Sequence, residues 1–148
     1  MRRAIILLAV IVIVIVIGGF AYAMWPAKVQ NGQSTADTPV PGGAIANVIL
    51  PDTFTQNAQI GKRAFEMNCA SCHGINAAGQ EGIAPPLVHI IYEPSHHADE
   101  SFQRAVALGV RAHHWPFGDM PAVEGLTRGD VTLITTYIRE LQRANGIN

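Results

Sequence analysis

The chain carries the stretch Cys69-Ala70-Ser71-Cys72-His73, and the rest of the sequence is best interpreted outward from it. At this spacing two thiols one helical turn apart can each add to a vinyl group on one edge of a haem, and the next residue presents its imidazole to the iron. A zinc site would need four ligands, but the 148 residues contain no second cysteine pair. A thioredoxin-type redox pair would need a strand–helix–strand context, and no strand pattern surrounds the motif. The motif therefore predicts one covalent haem on Cys69 and Cys72, with His73 as an iron ligand.

Composition and charge exclude a nucleic-acid-binding protein and indicate a protein directed to a membrane. The formal net charge is −1, whereas a nucleic-acid-binding protein normally shows a basic excess. Hydrophobic residues make up 49% of the chain and charged residues 14%, but the apolar excess is concentrated near the N-terminus, where residues 4–23 carry no charge. The composition predicts one modest domain directed to a membrane, with no nucleic-acid partner.

The N-terminal segment, residues 1–25, predicts a transmembrane anchor. About 20 apolar residues at a rise of roughly 1.5 Å each cover a hydrocarbon core of roughly 30 Å. Arg2 and Arg3 are expected to stay in the cytoplasm, which places everything after Trp25 on the periplasmic side of a bacterial inner membrane. The alternative is a cleaved signal peptide, for which Ala21-Tyr22-Ala23 supplies a small-x-small site. The domain would then be a soluble periplasmic protein.

A flexible linker is predicted over residues 26–56, because proline and glycine recur there and no helical or strand period survives. Residues 57–148 show helical patterns and form the predicted domain. The loops between those helices, residues 74–98 and 110–126, are long for so small a domain. A buried prosthetic group would supply the core that such loops lack.

Three helices are predicted within residues 57–148. The first runs into Cys69 with apolar residues at Ile60, Ala64, Phe65 and Met67. The second is capped by Asp99, ends at Gly109, and has apolar residues at Phe102, Ala105, Val106 and Leu108. The third follows a cap formed by Thr127 and Asp130, ends at Gly146, and carries an apolar stripe of Val131, Ile134, Tyr137, Ile138 and Leu141.

The second iron ligand is expected in a loop far along the chain. Met120 lies 47 residues beyond His73 and just before the last predicted helix, so it is the preferred candidate. Met67 lies two residues before the attachment motif and is expected to pack instead. A haem with two histidine ligands, using His113 or His114, is the alternative.

The last 92 residues resemble the class I, monohaem cytochrome c family, in the membrane-anchored bacterial type. Gly61-x-x-x-Phe65 resembles the family's N-terminal helix, where glycine lets the C-terminal helix cross closely. Tyr137 resembles the aromatic residue that meets it there. The resemblance implies an all-α cytochrome c fold, with three or more helices around one covalent haem c.

The same resemblance implies roles for individual site residues. Ala84-Pro85-Pro86-Leu87 resembles the segment whose proline carbonyl accepts the Nδ1–H of the proximal histidine, so Pro85 would orient His73. Leu87 would pack on the haem. Gly118-Asp119-Met120-Pro121 resembles the loop of the distal ligand, which implies His73 and Met120 as the two iron ligands.

The expected function is single-electron transfer at the periplasmic face of the inner membrane. With both axial positions filled, substrate cannot reach the iron, so the protein is not expected to be an enzyme. The expected partners are a redox protein donor and acceptor, such as a respiratory complex, an oxidase or a dehydrogenase. Two alternatives stay open: a labile distal ligand that serves catalysis or gas sensing, and an electron-transfer subunit of a larger oxidoreductase complex.

Two adjacent histidine pairs, His96-His97 and His113-His114, remain outside this scheme. We expect solvated loop histidines, because neighbouring side chains on a helix or strand point apart and each pair then offers a single ligand. An accessory copper site is the alternative.

Overall fold

A computed structural model describes residues 41–148 and shows a helical domain. Its helices are α1 (Gln56–Asn68), α2 (Ala70–His73), α3 (Asp99–Leu108) and α4 (Arg128–Ala144), with single 3-10 turns at Ile75–Ala77 and Ile90–Tyr92. No strand occurs in the described part of the chain, where two isolated bridges pair Gln80 with Ala84 and Val110 with Met120. The prediction of an all-α domain is confirmed for these residues.

The two longest helices, α1 and α4, cross in direct backbone contact. Gly61 is buried at the crossing, and a Cβ atom there would overlap the carbonyl group of Leu133. One turn along α1, the ring of Phe65 lies 5.6 Å from that of Tyr137, centroid to centroid, and neither side chain is exposed. The close helix crossing implied by the sequence is confirmed, and it forms the centre of the core.

Helix α4 has the predicted apolar stripe. Its five members are all 3% exposed or less, namely Val131, Ile134, Tyr137, Ile138 and Leu141. Burial of such side chains stabilises the fold by about 1.5–3 kcal/mol each. The helix begins in a reciprocal capping box, in which the Thr127 hydroxyl accepts from the Asp130 N–H and the Asp130 carboxylate accepts from the Thr127 N–H. Aspartate thus fills the role usually taken by glutamate or glutamine.

The buried face of α1 differs from the predicted one. Ala58, Gly61 and Phe65 are buried, whereas Ile60 is 37% and Met67 78% exposed. The crossing with α4 at Gly61 fixes which side of α1 faces inward, and positions 60 and 67 fall on the other side. The expectation that Met67 packs in the core is therefore wrong.

The start of α3 also differs from the prediction. Ala98 is the N-cap, and Asp99 lies in the first helical turn. The Asp99 carboxylate accepts a hydrogen bond of 2.8 Å from Nε of Arg139 on α4. The carboxylate still suits the positive end of the helix dipole, but it links two helices instead of capping one.

The stretch from Gly42 to Thr55 is hydrogen-bonded to the helical domain. The Gly42 N–H donates to the Glu81 carbonyl at 2.9 Å, and the Ala46 N–H donates to that of Ala78 at 2.9 Å. The side chain of Asn145 pairs with both backbone groups of Ile49. This stretch lies within the predicted linker, residues 26–56, and it has no regular secondary structure. These hydrogen bonds show that residues before position 57, the predicted start of the domain, are part of the folded structure.

No helix within residues 41–148 is long and apolar enough to cross a membrane. The anchor predicted over residues 1–25 lies outside the described residues.

Candidate functional site

The domain contains a cavity of about 620 Å³ between α3, α4, the Cys69–His73 segment and the loop that precedes Met120. Its volume is within the range of about 300–1,000 Å³ common for cofactor sites. All six side chains predicted for the site line this cavity, namely Cys69, Cys72, His73, Pro85, Leu87 and Met120. The fold thus brings together residues that are up to 51 positions apart in the sequence.

The two cysteines and His73 are brought together by one helical turn. Helix α1 ends at Asn68, Cys69 is the N-cap of α2, and the His73 N–H donates to the Cys69 carbonyl at 2.9 Å. The thiols are not joined as a disulfide. Burial, and then the neighbouring Cys72, raises the pKa of the Cys69 thiol to about 11. The attacking thiol of a redox pair has a lowered pKa, so Cys69 does not have the character of such a thiol.

The His73 ring is held by one hydrogen bond. Its Nδ1 lies 2.9 Å from the carbonyl oxygen of Pro85, which can only accept, so Nδ1 carries the proton and Nε2 has the free lone pair. Burial lowers the pKa of His73, and the hydrogen bond to Pro85 partly opposes this effect. A neutral imidazole fixed through Nδ1 is the form that ligates a metal through Nε2.

Gly79 positions the segment that carries the Pro85 carbonyl. The Gly79 N–H donates to the His73 carbonyl at 2.7 Å. Its φ is +74°, and a Cβ atom at this position would lie 2.5 Å from the backbone nitrogen of Pro86. Only glycine permits this approach, which keeps residues 85–86 beside the attachment helix.

Gln80 was missed by the sequence analysis. Its Nε2 lies 2.7 Å from the Ser71 carbonyl oxygen, 3.0 Å from that of Cys72 and 3.3 Å from that of Ala70. It therefore supplies a donor to the Ser71 and Cys72 carbonyl groups, which the four-residue helix α2 leaves unpaired, whereas the Ala70 carbonyl also accepts from the Gly74 N–H. No sequence pattern marks a glutamine seven residues beyond the motif for this role.

The backbone of Met120 is fixed independently of any cofactor. Met120 and Val110 exchange two hydrogen bonds of 2.9 Å, and the Asp119 carboxylate accepts from the Ala112 N–H at 2.8 Å. Gly109 ends α3 with φ +73°, and a Cβ atom there would lie 2.5 Å from the Met120 carbonyl oxygen. The Met120 side chain lines the cavity and is partly buried.

Trp115 carries a buried donor for which the Tyr92 side chain offers only a contact short of full hydrogen-bond geometry. Its Nε1 is buried without a hydrogen-bond partner in the part of the chain that the structure describes, and its side chain lines the cavity. Leaving such a donor unpaired costs about 1–3 kcal/mol. A carboxylate of a bound group, such as a haem propionate, would satisfy it.

The cavity wall also carries apolar side chains that remain exposed. Leu108 is 75% and Ile83 47% exposed, although both line the cavity. An apolar ring would cover them, so the donor set and the apolar wall both fit a haem.

A buried network on α4 holds the loop that follows Leu87, and the sequence analysis missed it. The Arg139 guanidinium donates to the Tyr92 carbonyl, the Gln142 Oε1 and the His97 carbonyl. The Gln142 side-chain amide donates to the Leu87 carbonyl at 2.8 Å. An arginine on an amphipathic helix is ordinarily solvated, but Arg139 is 6% exposed. These bonds fix the backbone on both sides of the 3-10 turn at Ile90–Tyr92.

The two adjacent histidine pairs, His96-His97 and His113-His114, form one cluster at the rim of this cavity. Their ring centroids lie between 4.2 and 6.1 Å apart in the pairs that touch. Loss of solvation, and then the neighbouring His113, His97 and His96, lowers the pKa of His114. Potential ligand atoms of His96, His97 and His114 lie within 4.8 Å of one another. His96 and His97 lie in an irregular turn and not on a regular helix or strand, so both present a candidate ligand atom to the cluster, in contrast to the single ligand expected from each pair.

Comparison with known proteins identifies one family. The family model described as Cytochrome c matches residues 58–142, more than half of the chain. No curated protein matches, and no solved structure matches.

Proposed function

The chain belongs to the cytochrome c family, with haem c bound covalently through Cys69 and Cys72, and we propose that it is a one-electron carrier with His73 and Met120 as the iron ligands. The family supports a haem-based electron-transfer role. The observation that carries the proposal further is that all six predicted site residues line one cavity.

His73 is the proposed proximal ligand. The hydrogen bond from its Nδ1 to the Pro85 carbonyl fixes the tautomer and aims the Nε2 lone pair away from that carbonyl. Partners of this kind orient a ligating imidazole and raise its basicity. Leu87 is proposed to pack on the haem, because its side chain lines the same cavity.

Met120 is the proposed distal ligand. The bridge with Val110 and the contact with Gly109 hold its backbone at the end of α3, so the side chain needs no reorganisation of the loop to face the cavity. When bound, haem supplies a reversible one-electron couple at iron. Compared with two histidine ligands, a histidine and a methionine ligand favour the ferrous state and raise the reduction potential. A raised potential suits transfer of electrons towards a terminal acceptor.

The proposed carrier role rests on His73 and Met120 both serving as ligands of the haem iron. His73 and Met120 together would leave no site where a substrate could bind iron, so we propose no catalytic residue. The proposed partners are a redox protein donor and acceptor, such as a respiratory complex, an oxidase or a dehydrogenase, either as separate proteins or within a larger complex.

The proposed location is the periplasmic face of a bacterial inner membrane. It is supported by the sequence of residues 1–25, with two arginines before about 20 apolar residues. Membrane fractionation of the full chain, before and after an alkaline carbonate wash, tests it. An anchored protein stays in the membrane after the wash, whereas recovery of the chain in the soluble fraction would refute the anchor.

Potentiometric titration of the haem-loaded protein, combined with carbon monoxide addition to the reduced form, tests the carrier role. We expect a single one-electron transition and no carbon monoxide binding at neutral pH, because Met120 occupies the distal position. Ready binding of carbon monoxide would contradict the carrier role and favour a catalytic or gas-sensing haem.

A further inference from the structure

A cluster of four imidazoles lies where two loops meet at the cavity rim. His96 and His97 belong to the loop before α3, and His113 and His114 belong to the loop that leads to Met120. The His113 and His114 ring centroids are 4.2 Å apart, and the His114 centroid lies 5.3 Å from those of both His96 and His97. Fifteen residues lie between the two pairs in the sequence, so the fold creates this cluster.

Two of the rings are oriented by backbone carbonyl groups. Nδ1 of His97 lies 2.6 Å from the Ile91 carbonyl oxygen, and Nδ1 of His113 lies 2.8 Å from that of Arg111. Since a carbonyl can only accept, both Nδ1 atoms carry protons, and both Nε2 atoms keep a free lone pair. A metal-ligating histidine typically has such a hydrogen bond on its other nitrogen.

The backbone of His97 is itself held firmly. Its carbonyl accepts from the buried Arg139 guanidinium, and its ring lies 5.1 Å from that of Tyr92. The cluster thus has one half-buried residue, His97, whose backbone is held by the core through Arg139, while His96 and His114 are exposed and adjustable. An ion could enter from solvent without opening the fold.

We propose that His96, His97 and His114 bind one transition-metal ion, with the His113 ring beside that of His114. Ligand atoms of the first three lie within 4.8 Å of one another, so small rotations of exposed rings can bring them around a single ion. Imidazole ligands suit Cu²⁺, Zn²⁺ and Ni²⁺, whereas Ca²⁺ and Mg²⁺ require oxygen ligands. Cu²⁺ is expected to bind more tightly than Zn²⁺.

The ion would join the two loops that border the cavity. His114 lies six residues before Met120, and both His97 and His114 line the cavity. A bound ion would tie the loop of Met120 to the Arg139-anchored segment and add positive charge near the haem. The site rests on Met120 as the second haem ligand in the proposed function, because His114 would be unavailable if it ligated the haem iron. The optical spectrum of the same haem-loaded sample reports thioether ligation, so failure of the metal site and failure of the proposed function are distinguishable.

Isothermal titration calorimetry tests the site on untagged, metal-depleted, haem-loaded protein, with Zn²⁺ and Cu²⁺ as separate probes. We expect one ion per chain. The electron paramagnetic resonance spectrum of the bound Cu²⁺ should show coupling to imidazole nitrogen. The affinity for either ion should fall at least about tenfold in His114→Gln and further in the double variant His97→Gln/His114→Gln.

The matched control is His89→Gln, because His89 is also a loop histidine but lies outside the cluster. Its Nδ1 accepts a hydrogen bond from the Ile91 N–H. It should bind both ions as the parent does. Since His114 is exposed and its side chain makes no hydrogen bond within residues 41–148, the single variant keeps the test meaningful even if the double variant folds poorly. Absence of saturable binding to the parent, or equal affinity in His114→Gln and the parent, would overturn the proposal.

Discussion

Met120 and Val110 are paired by two backbone hydrogen bonds, each 2.9 Å long, at the base of the loop that carries the proposed distal ligand. The pair closes residues 111–119 into a loop that starts where α3 ends. The ligand position is thereby set by the length of α3 and by Gly109, whose missing side chain leaves room for the Met120 carbonyl. We therefore expect ligation of the iron by Met120 to be sensitive to any side chain introduced at Gly109.

Gly109→Ala should weaken distal ligation. The residue has φ +73° and ψ −179°, a conformation close to glycine-only, and the new Cβ would press on the Met120 carbonyl. Strain of about 1–3 kcal/mol would raise the ligand-free population about 5- to 150-fold. Carbon monoxide binding to the reduced protein measures this population. Gly125→Ala is the control, because it also has positive φ but meets nothing within 4 Å. Equal carbon monoxide binding by the two variants would show that Gly109 does not position the ligand.

Arg139→Met should strongly destabilise the domain. It removes a buried guanidinium, leaves the His97 carbonyl without its donor, and leaves the Tyr92 carbonyl with the Gln142 side-chain amide as its one remaining donor among the described residues. We expect a loss of about 3 kcal/mol in the free energy of unfolding, measured with urea. Arg128→Met is the matched control, because its ion pair with Glu100 is largely exposed, and it should cost less than about 1 kcal/mol. Similar losses in both variants would contradict a special role for Arg139.

Gly61→Ala and Gly129→Ala should have opposite effects on stability. A Cβ at residue 61 overlaps the Leu133 backbone and forces α1 and α4 apart, which outweighs the gain in helix propensity and costs about 1–3 kcal/mol. At residue 129 the nearest atom is the Thr127 Oγ1 at 3.5 Å, so alanine should stabilise by up to about 1 kcal/mol. Chemical unfolding of both variants checks the pair. A neutral Gly61→Ala would show that the helices tolerate a wider separation.

Tyr137 should make stability fall at alkaline pH. Burial, and then the negative charge of Glu66, raises the pKa of Tyr137 from 10.0 to about 12. Because the folded state holds the proton more tightly than the unfolded state, this contribution is complete below pH 10 and is lost as pH rises towards 12. Tyr137→Phe removes the titration and a hydrogen bond of 3.3 Å to Asn76. The variant should therefore lose less stability than the parent over this range, as urea unfolding at several alkaline pH values would show. Parallel losses would contradict the raised pKa.

The features that could be predicted from the sequence are those set by local chemistry. The helical turn at Cys69–His73 could be predicted because two thiols attached to one edge of a haem must lie one helical turn apart. Helix α4 could be predicted from its cap at Thr127 and its continuous apolar stripe. The α1–α4 crossing was implied by the resemblance around Gly61, and the structure confirms it.

The features that could not be predicted depend on contacts between distant segments. The buried face of α1 is decided at Leu133, outside the helix itself, so Ile60 and Met67 were assigned to the wrong side. Arg139 is buried only because the loop after Leu87 offers its carbonyl groups there. The histidine cluster forms only where two separate loops come into contact, and no periodic pattern in the sequence predicts a contact between loops.

The central claim is that Met120 ligates the haem iron, and the optical spectrum of the oxidised protein tests it most directly. A weak sulfur-to-iron charge-transfer band in the far red reports thioether ligation. We expect the band in the parent and in the control Met67→Ala, whose methionine is 78% exposed on α1, and we expect its loss in Met120→Ala. Absence of the band from the parent, or its persistence in Met120→Ala, would contradict the account.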